Sequence, residues 1–315
     1  MKKNRNYKTA KIAENKEMKM ILIDCKKISE NKIESIKNEI AEIESKTGLK
    51  PCLATILVGE NPASAAYINA KIKKCAQAGI QSLHYKLAED AKKEEIVSLI
   101  ETLNASNEID AVLLQLPLPK KEFEEDCINA INPLKDADGL CPYNAGLLSL
   151  AKNYKNLLDK NIPIPCTPLG IIHILKESGA EISGKNAVII GRSNLVGKPL
   201  ALLLLLNDAS VICVHSKTKN LKEICKSADI LIAAIGRPNF INKDYIKDGS
   251  IVIDVGINRI DGKITGDIDF EDMKNLDIKL TPVPGGVGVM TTTMLLENTL
   301  RLFKQNRLNK KSAGG

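Results

Sequence analysis

The segment Lys185-Asn-Ala-Val-Ile-Ile-Gly191-Arg-Ser-Asn-Leu-Val-Gly197-Lys-Pro-Leu-Ala-Leu-Leu-Leu-Leu-Leu206 constrains this chain most, because an apolar run ends at one glycine and an apolar helix begins near another. That pattern reads as strand, tight turn and helix. A strand delivered straight into a helix N-terminus aims unpaired backbone N–H groups and the positive end of the helix dipole at whatever lies in the crevice, so anions bind there. The turn reads G-x-x-x-x-x-G and lacks the middle glycine of the dinucleotide fingerprint. Taken alone, these residues fit an ordinary βα turn of a parallel sheet as well as a cofactor-binding one.

Two further strands follow at the expected distances, Ser210-Val-Ile-Cys-Val-His215 and Asp229-Ile-Leu-Ile-Ala-Ala-Ile-Gly236, each separated from the last by a helix-length segment. An NAD-binding unit usually ends its second strand on an Asp or Glu that holds the ribose hydroxyls. Here the chain reads His215-Ser216-Lys217-Thr218, with no carboxylate. A hydroxyl and a lysine at that edge, with Arg192 in the first turn, suit the extra phosphate of NADP.

The 315 residues allow about two domains. Aromatic residues make up 3% of the chain and Trp is absent, so the cores rest on Leu, Ile, Val and Ala. The stacking platforms of single-strand binders are scarce, which disfavours a nucleic-acid partner. The formal charge of +7 sits in the ends: residues 1–20 and 301–315 each carry a net +5, leaving the rest near −3. Such tails are expected to be solvated and disordered, without a specific partner. Eight cysteines without a C-x-x-C pair read as free thiols in a reducing compartment, and three scattered histidines argue against a metal site. No signal core and no run approaching the roughly 20 apolar residues of a bilayer span is present, so no membrane partner and a cytoplasmic location are expected.

Residues 1–19 are polar and lysine-rich, and Met18 or Met20 is an alternative start. A strand-like Met20-Ile-Leu-Ile precedes an amphipathic helix over Ser29–Lys46, with Ile at 33, 36, 40 and 43 and a stop at Gly48. Cys52–Val58 reads as a buried strand. It leads through Asn61-Pro62 into a helix ending at Ala78, whose Ser64, Tyr67 and Lys71 share one face. A strand at Ser82–Leu87, a helix at Lys92–Asn104 and a strand at Ile109–Leu114 complete a βαβαβ unit, for which a parallel sheet is the natural form. Its last strand runs into Gln115-Leu-Pro-Leu-Pro119, at the sheet edge where ligands gather. Proline-rich boundaries at 133–139 and 163–170 flank a short helical linker, and Thr291–Lys304 forms a long helix free to return onto the first domain.

Three constellations carry chemistry, each with a plainer alternative. Ser64, Tyr67 and Lys71 form either a solvated face or, beside Gln115 in a cleft, an acid/base group whose lysine pKa is lowered by burial. In Lys135-Asp136-Ala-Asp138-Gly139 the carboxylates either cap and turn, act as a catalytic pair, or recognise a nitrogenous ring. The segment Thr281-Pro-Val-Pro284-Gly285-Gly-Val-Gly288 is either a turn or a stretch of backbone that lets a flat ligand approach closely.

Taken together with Pro165-Cys-Thr-Pro168 and Val196-Gly-Lys-Pro199, these motifs resemble the bifunctional methylenetetrahydrofolate dehydrogenase/methenyltetrahydrofolate cyclohydrolase family, in the right order from about Met20 to Arg307. The resemblance implies an α/β fold of two domains with a cleft between them, the second a Rossmann-type doubly wound parallel sheet. It divides the chain into a first domain over 20–141, completed by the C-terminal helix 289–307, and a linker helix with the NADP domain over 142–288. It further implies NADP as cofactor, tetrahydrofolate derivatives as substrates and a homodimer.

Carried over residue by residue, Lys71 matches the catalytic lysine, with Tyr67 and Gln115 assisting. Asp138 matches the group that holds the pterin, and Tyr67, Gln115, Leu116, Pro284, Gly285 and Gly288 complete the folate contacts. Gly191, Arg192, Ser193, Ser216 and Ile257 match NADP-binding positions, and no metal is implied. The rival is another two-domain NAD(P)-dependent dehydrogenase, acting on amino or hydroxy acids. Two departures stand out. Val289 occupies a usual proline position, which predicts a looser loop, and Cys25 replaces a usual glycine in a segment expected to lie far from the chemistry.

Overall fold

The computed structural model describes residues 20–59 and 71–308. Ser64, Tyr67 and the first part of their expected helix lie outside the described residues, as do both tails.

Two parallel sheets carry the architecture. The smaller has strand order β3-β2-β4, from β2 (Cys52–Val58), β3 (Gln81–Leu87) and β4 (Ala111–Leu114). Its connections run through helical residues 71–78 (α2) and α3 (Lys93–Ala105). Side chains alternate across β2: Leu53 enters a core shared with the helices beneath, while Cys52, Ala54, Ile56 and Val58 enter a second core on the far face. Both faces are covered, so the strand reads as an apolar run broken only by Thr55.

Short helices α4 (Glu124–Ala130), α5 (Pro142–Leu150) and α6 (Tyr154–Asp159) and the longer α7 (Cys166–Glu177) lead to the second sheet. That sheet contains β5 (Asn186–Ile190), β6 (Ser210–Val214), β7 (Ile230–Ala233), β8 (Ile251–Asp254) and β11 (Lys279–Leu280), interleaved with α8 (Gly197–Leu205) and α9 (Leu221–Lys226). A hairpin of β9 (Asn258–Ile260) and β10 (Lys263–Thr265) and the single-turn α10 (Phe270–Met273) precede β11. The order is β1-β11-β8-β7-β5-β6 and every pairing is parallel. Its sixth member corrects an expectation. The strand β1 (Ile21–Leu22), grouped by chain order with the first domain, pairs with β11 at the edge of this larger sheet. A two-residue strand holds too little side-chain pattern to specify its partner.

In each sheet the connections diverge at one point, between β2 and β4 and between β5 and β7, and the crevice beyond the strand ends at such a point is where ligands bind. At the second point Gly191 has φ +136°, and a Cβ there would stand 2.3 Å from the Ala234 carbonyl oxygen. A Cβ on Gly197 would meet the Gly191 oxygen at 2.5 Å. The two glycines of the turn therefore exist to let three stretches of backbone meet.

Helix α1 (Cys25–Thr47) begins four residues earlier than the isoleucine rhythm predicts, because the Asp24 carboxylate accepts the Lys27 N–H at 3.0 Å and caps it. Gly48 ends it in the left-handed conformation, φ 70°. Helix α11 (Val287–Phe303) also starts earlier than expected and runs on into a π-helical turn, Lys304–Leu308. It packs against α1 and α7. One continuous core joins these three helices to the inner faces of both sheets, through Leu53 and Leu113 on one side and Ile189 and Ile232 on the other. The two halves thus share a core, where the length of the chain suggested two.

Phe303 is fully buried at the end of α11, and Phe303→Ala should cost about 3–5 kcal/mol through lost transfer energy and the cavity left behind, read by denaturant unfolding. Seven of the eight thiols are buried and only Cys213 is exposed. Burial also pushes Cys25, Cys75, Cys141 and Cys225 up to about 12. A chromogenic disulfide reagent should therefore titrate one thiol in the native protein and none in Cys213→Ser, with the remaining thiols appearing on unfolding.

Candidate functional site

The C-terminal edges of both sheets open on a cavity of about 210 Å³, lined by Lys71 from α2, Gln115 and Leu116 beyond β4, Asp138, Cys166 and Thr167 at the head of α7, and Leu195 and Val196 from the β5–α8 turn. Residues more than a hundred positions apart, taken from both halves of the chain, meet on this wall.

Lys71 is 8% exposed, and its ammonium donates to Gln115 Oε1 at 2.6 Å. The Gln115 amide is oriented at both ends, since its Nε2 donates to the Leu116 carbonyl at 2.7 Å. Burial lowers the Lys71 pKa, with Asp138 opposing the shift by attraction. Asp138 is half-buried and its carboxyl is pushed up by desolvation, although the Cys166 N–H donates to its Oδ1 at 3.2 Å. That N–H is the first of α7, so the helix dipole also stabilises the carboxylate. A lysine that gives up its proton easily and an acid that retains one easily therefore share one cavity.

The structure separates the residues of the Lys135–Gly139 motif. Lys135 Nζ donates to the Leu103 and Ser106 carbonyls and closes the end of α3. Asp136 is buried and accepts from the Cys141 N–H at 2.8 Å and Asn144 Nδ2 at 3.1 Å. Both are structural, and of the two carboxylates Asp138 alone lines the cavity.

A neighbouring cavity of about 260 Å³ brings together Asp254, Gly256 and Ile257 after β8 with Pro284, Gly285 and Gly288 before and within the first turn of α11. Thr292 belongs to the walls of both cavities. Two buried carboxylates hold this rim. Asp254 accepts the N–H groups of Gly256, Asp267 and Ile268, and burial raises it to about 6. Asp267 accepts those of Ile235, Gly236 and Arg237, together with Asn258 Nδ2.

At the β5–β6 edge, the Gly191 N–H donates to the Val214 carbonyl, which sets the Arg192 turn beside His215–Thr218. The latter is a closed turn, with the Thr218 hydroxyl accepting the His215 N–H at 2.9 Å and His215 Nδ1 accepting the Lys217 N–H at 3.2 Å. Ser193 Oγ accepts the N–H groups of Val196 and Gly197 and organises the start of α8. Arg192, Ser193 and Ser216 are exposed there, and no carboxylate ends β6. A backbone cradle that excludes Cβ atoms, flanked by a guanidinium and two hydroxyls, fits a dinucleotide carrying an additional phosphate.

Both sequence departures take on a local meaning. Val289 lies within the first turn of α11, its N–H donates to the Gly286 carbonyl at 3.1 Å, a bond proline cannot make, and its carbonyl accepts from Lys74 at 2.8 Å. Cys25 is closer to the site than expected, lining a shallow groove with Pro282, Pro284 and Gly285 on the outer side of the same loop. Sequence reasoning missed Lys74, Thr292 and Leu195 as wall residues, because each reaches the cleft only through packing of separate elements. Tyr67 lies outside the described residues.

Residues 23–138 match the catalytic domain, and residues 165–307 the NAD(P)-binding domain, of the tetrahydrofolate dehydrogenase/cyclohydrolase family. The chain is 47% identical over 285 residues to the bifunctional protein FolD of Agathobacter rectalis, covering 90% of this chain and 99% of that one. It is 49% identical to the Campylobacter hominis protein of the same name, covering 92% and 99%. Among solved structures, the bifunctional FolD methylenetetrahydrofolate dehydrogenase/cyclohydrolase of Campylobacter jejuni superposes with a TM-score of 0.85 at 44% identity, covering 91% of this chain and 99% of that one. The Trypanosoma brucei enzyme, complexed with NADP and an inhibitor, gives 0.84 at 32% identity, covering 94% and 99%. With both halves matched in order and the cleft between them lined by residues from each, this chain belongs to the tetrahydrofolate dehydrogenase/cyclohydrolase family.

Proposed function

We propose that the protein oxidises methylenetetrahydrofolate to methenyltetrahydrofolate with NADP and hydrolyses the product to 10-formyltetrahydrofolate in the same cleft. The observation that carries this reading is the buried Lys71–Gln115 pair facing Asp138 across a cavity that also touches the β5–α8 turn. The alternative, a dehydrogenase of amino or hydroxy acids, gains no support, since both halves of the chain match folate-enzyme domains.

NADP, when bound, supplies the hydride acceptor. Gly191, Arg192, Ser193, Ser216 and Ile257 hold it, and Gln115, Leu116, Asp138, Pro284, Gly285 and Gly288, with Tyr67, hold the folate. Asp138 accepts the adjacent amino and amide N–H groups of the pterin and fixes the ring's orientation. In the hydrolytic step water adds to the methenyl carbon. Its proton passes to the neutral form of Lys71, the same group returns a proton to N5 as the C–N5 bond breaks, and the proton left on the added hydroxyl is released to solvent as the formyl C=O forms. A lysine whose pKa is lowered by burial is suited to both transfers, and Gln115 holds its nitrogen in place.

The reading extends to domain organisation, assembly and location. It divides the chain into a catalytic part over 20–141, completed by the C-terminal helix and without the Ile21–Leu22 strand, and a cofactor part over 142–288 whose sheet that strand joins. Exposed Tyr143, Leu150, Leu205 and Ile212 on the neighbouring elements α5, α8 and β6 favour a homodimer, and eight free thiols favour a cytoplasmic location.

Lys71→Met should lose about 10²–10⁴-fold in hydrolysis and impair the dehydrogenase less, whereas Asp138→Ala should weaken folate use in both reactions. Separate assays of the two steps check this, and a Lys71→Met protein hydrolysing methenyltetrahydrofolate at the unmutated rate refutes it. Arg192→Ala should weaken NADP by about 1.5–3 kcal/mol, the value of a charge-assisted contact, and leave NAD use nearly unchanged. Equal use of NAD and NADP by the unmutated protein overturns that assignment.

A further inference from the structure

Lys74 follows Lys71 by one turn of α2, and the chemistry described above leaves it without a role. Its ammonium lies 2.8 Å from the Val289 carbonyl oxygen, 2.8 Å from Thr292 Oγ1, 3.2 Å from Thr293 Oγ1 and 3.3 Å from Ser29 Oγ. All four acceptors are neutral. Three belong to the first turns of α11 and one to α1, so a single cation joins three helices.

The placement is electrostatically adverse. Burial lowers Lys74 to about 8 with no carboxylate to offset it among its partners, and the charge stands at the positive end of the α11 dipole. An apolar side chain would serve simple stability as well or better. The surroundings suggest what the ammonium does instead. Lys74, Val289 and Thr292 line the cavity that contains Pro284, Gly285 and Gly288, and Thr292 also faces the cavity of Lys71. The Thr293 hydroxyl, which faces neither, continues the chain of bonds to Ser29 at 2.7 Å, both groups being buried.

We propose that Lys74 is a positioning residue for the folate: it clamps the head of α11 to the helix that carries Lys71, and so fixes the spacing between the Pro284–Val289 wall and the reacting lysine. The inference rests on the folate reading above.

The role is tested by steady-state kinetics of both steps in Lys74→Met, with thermal melting alongside. The folate KM should rise roughly ten-fold in both reactions while each kcat stays within a few-fold, because positioning is lost and the proton-transfer group remains. Thr293→Val, close in volume and outside both cavities, should raise the same KM in the same direction by less. The double variant should fall short of the product of the two effects, since both act through one network. A folded Lys74→Met protein with folate KM within about two-fold of the unmutated value, or one that loses only kcat, overturns the proposal. Should Lys74→Met fail to fold, an unmoved KM in Thr293→Val overturns it and a raised one supports it. An unmutated protein inactive on both folates would fail the activity assignment itself, whereas an active one whose variants keep their KM fails Lys74 alone.

Discussion

A single buried amide ties this molecule together. Asn298, near the middle of α11 and fully buried, donates from Nδ2 to the Ala137 carbonyl at 2.9 Å and the Ile164 carbonyl at 2.8 Å. One of those carbonyls precedes Asp138 and the other lies two residues before Cys166. Helix α11 therefore sets the relation between the loop that presents the carboxylate and the head of α7 whose N–H stabilises it. Without that donor the buried Ile164 carbonyl would cost free energy comparable to a lost hydrogen bond, and the Ala137 carbonyl would keep only the weak Cys166 thiol contact at 3.6 Å. The same helix is held to α1 by the Ser29–Thr293 hydroxyl pair, and the first residue of its extension, Lys304, bonds Glu39 of α1. Its extension is held to the small sheet by Arg307, which donates to buried Asp110 at 2.7 Å.

Around this spine the electrostatics of the cleft follow from burial. Lys71 and Asp138 are both moved toward their neutral forms by desolvation, while their mutual attraction acts in the opposite sense. The Cys166 thiol beside them is raised far above its ordinary range by the same burial and by Asp138, so it stays protonated and serves as wall rather than nucleophile. Gln115, neutral at any relevant pH, can orient the lysine without adding a charge that would fix its protonation state. The carboxylates that do remain close to the rim, Asp254 and Asp267, spend their acceptor capacity on backbone N–H groups and hold loops in shape.

How much of this was legible in the chain depends on how local the signal is. Strand β2 is legible to the residue, because seven predominantly apolar positions bounded by Pro51 and Gly59, six of them buried, leave little freedom. The isoleucine period places helix α1 but starts it four residues late, since Asp24, its cap, lies before the periodic region. The departure at Val289 is visible in the sequence, whereas the bond from Lys74 to its backbone carbonyl joins α2 to α11, far apart in the chain. Likewise Asp136 and Asp138 are chemically alike and two residues apart, and only the bonds to Cys141 and Asn144 on one, and to Cys166 on the other, assign one to structure and the other to the cleft.

By itself, the sequence determined the elements and the crevice edges, because strand and helix periods, glycine spacing and proline boundaries act over a few residues. The absence of a carboxylate after β6, and with it the expectation of a phosphorylated dinucleotide, is equally a matter of reading one turn. Tertiary structure alone decided that β1 completes the larger sheet, that one core is shared by both halves, and that Lys71, Gln115, Asp138 and the β5–α8 turn enclose a common cavity. These are contacts between segments separated by tens to hundreds of residues. No local period encodes them, and they exist only once α11 has been laid between α1 and α7 and the backbone groups it buries have found their partners.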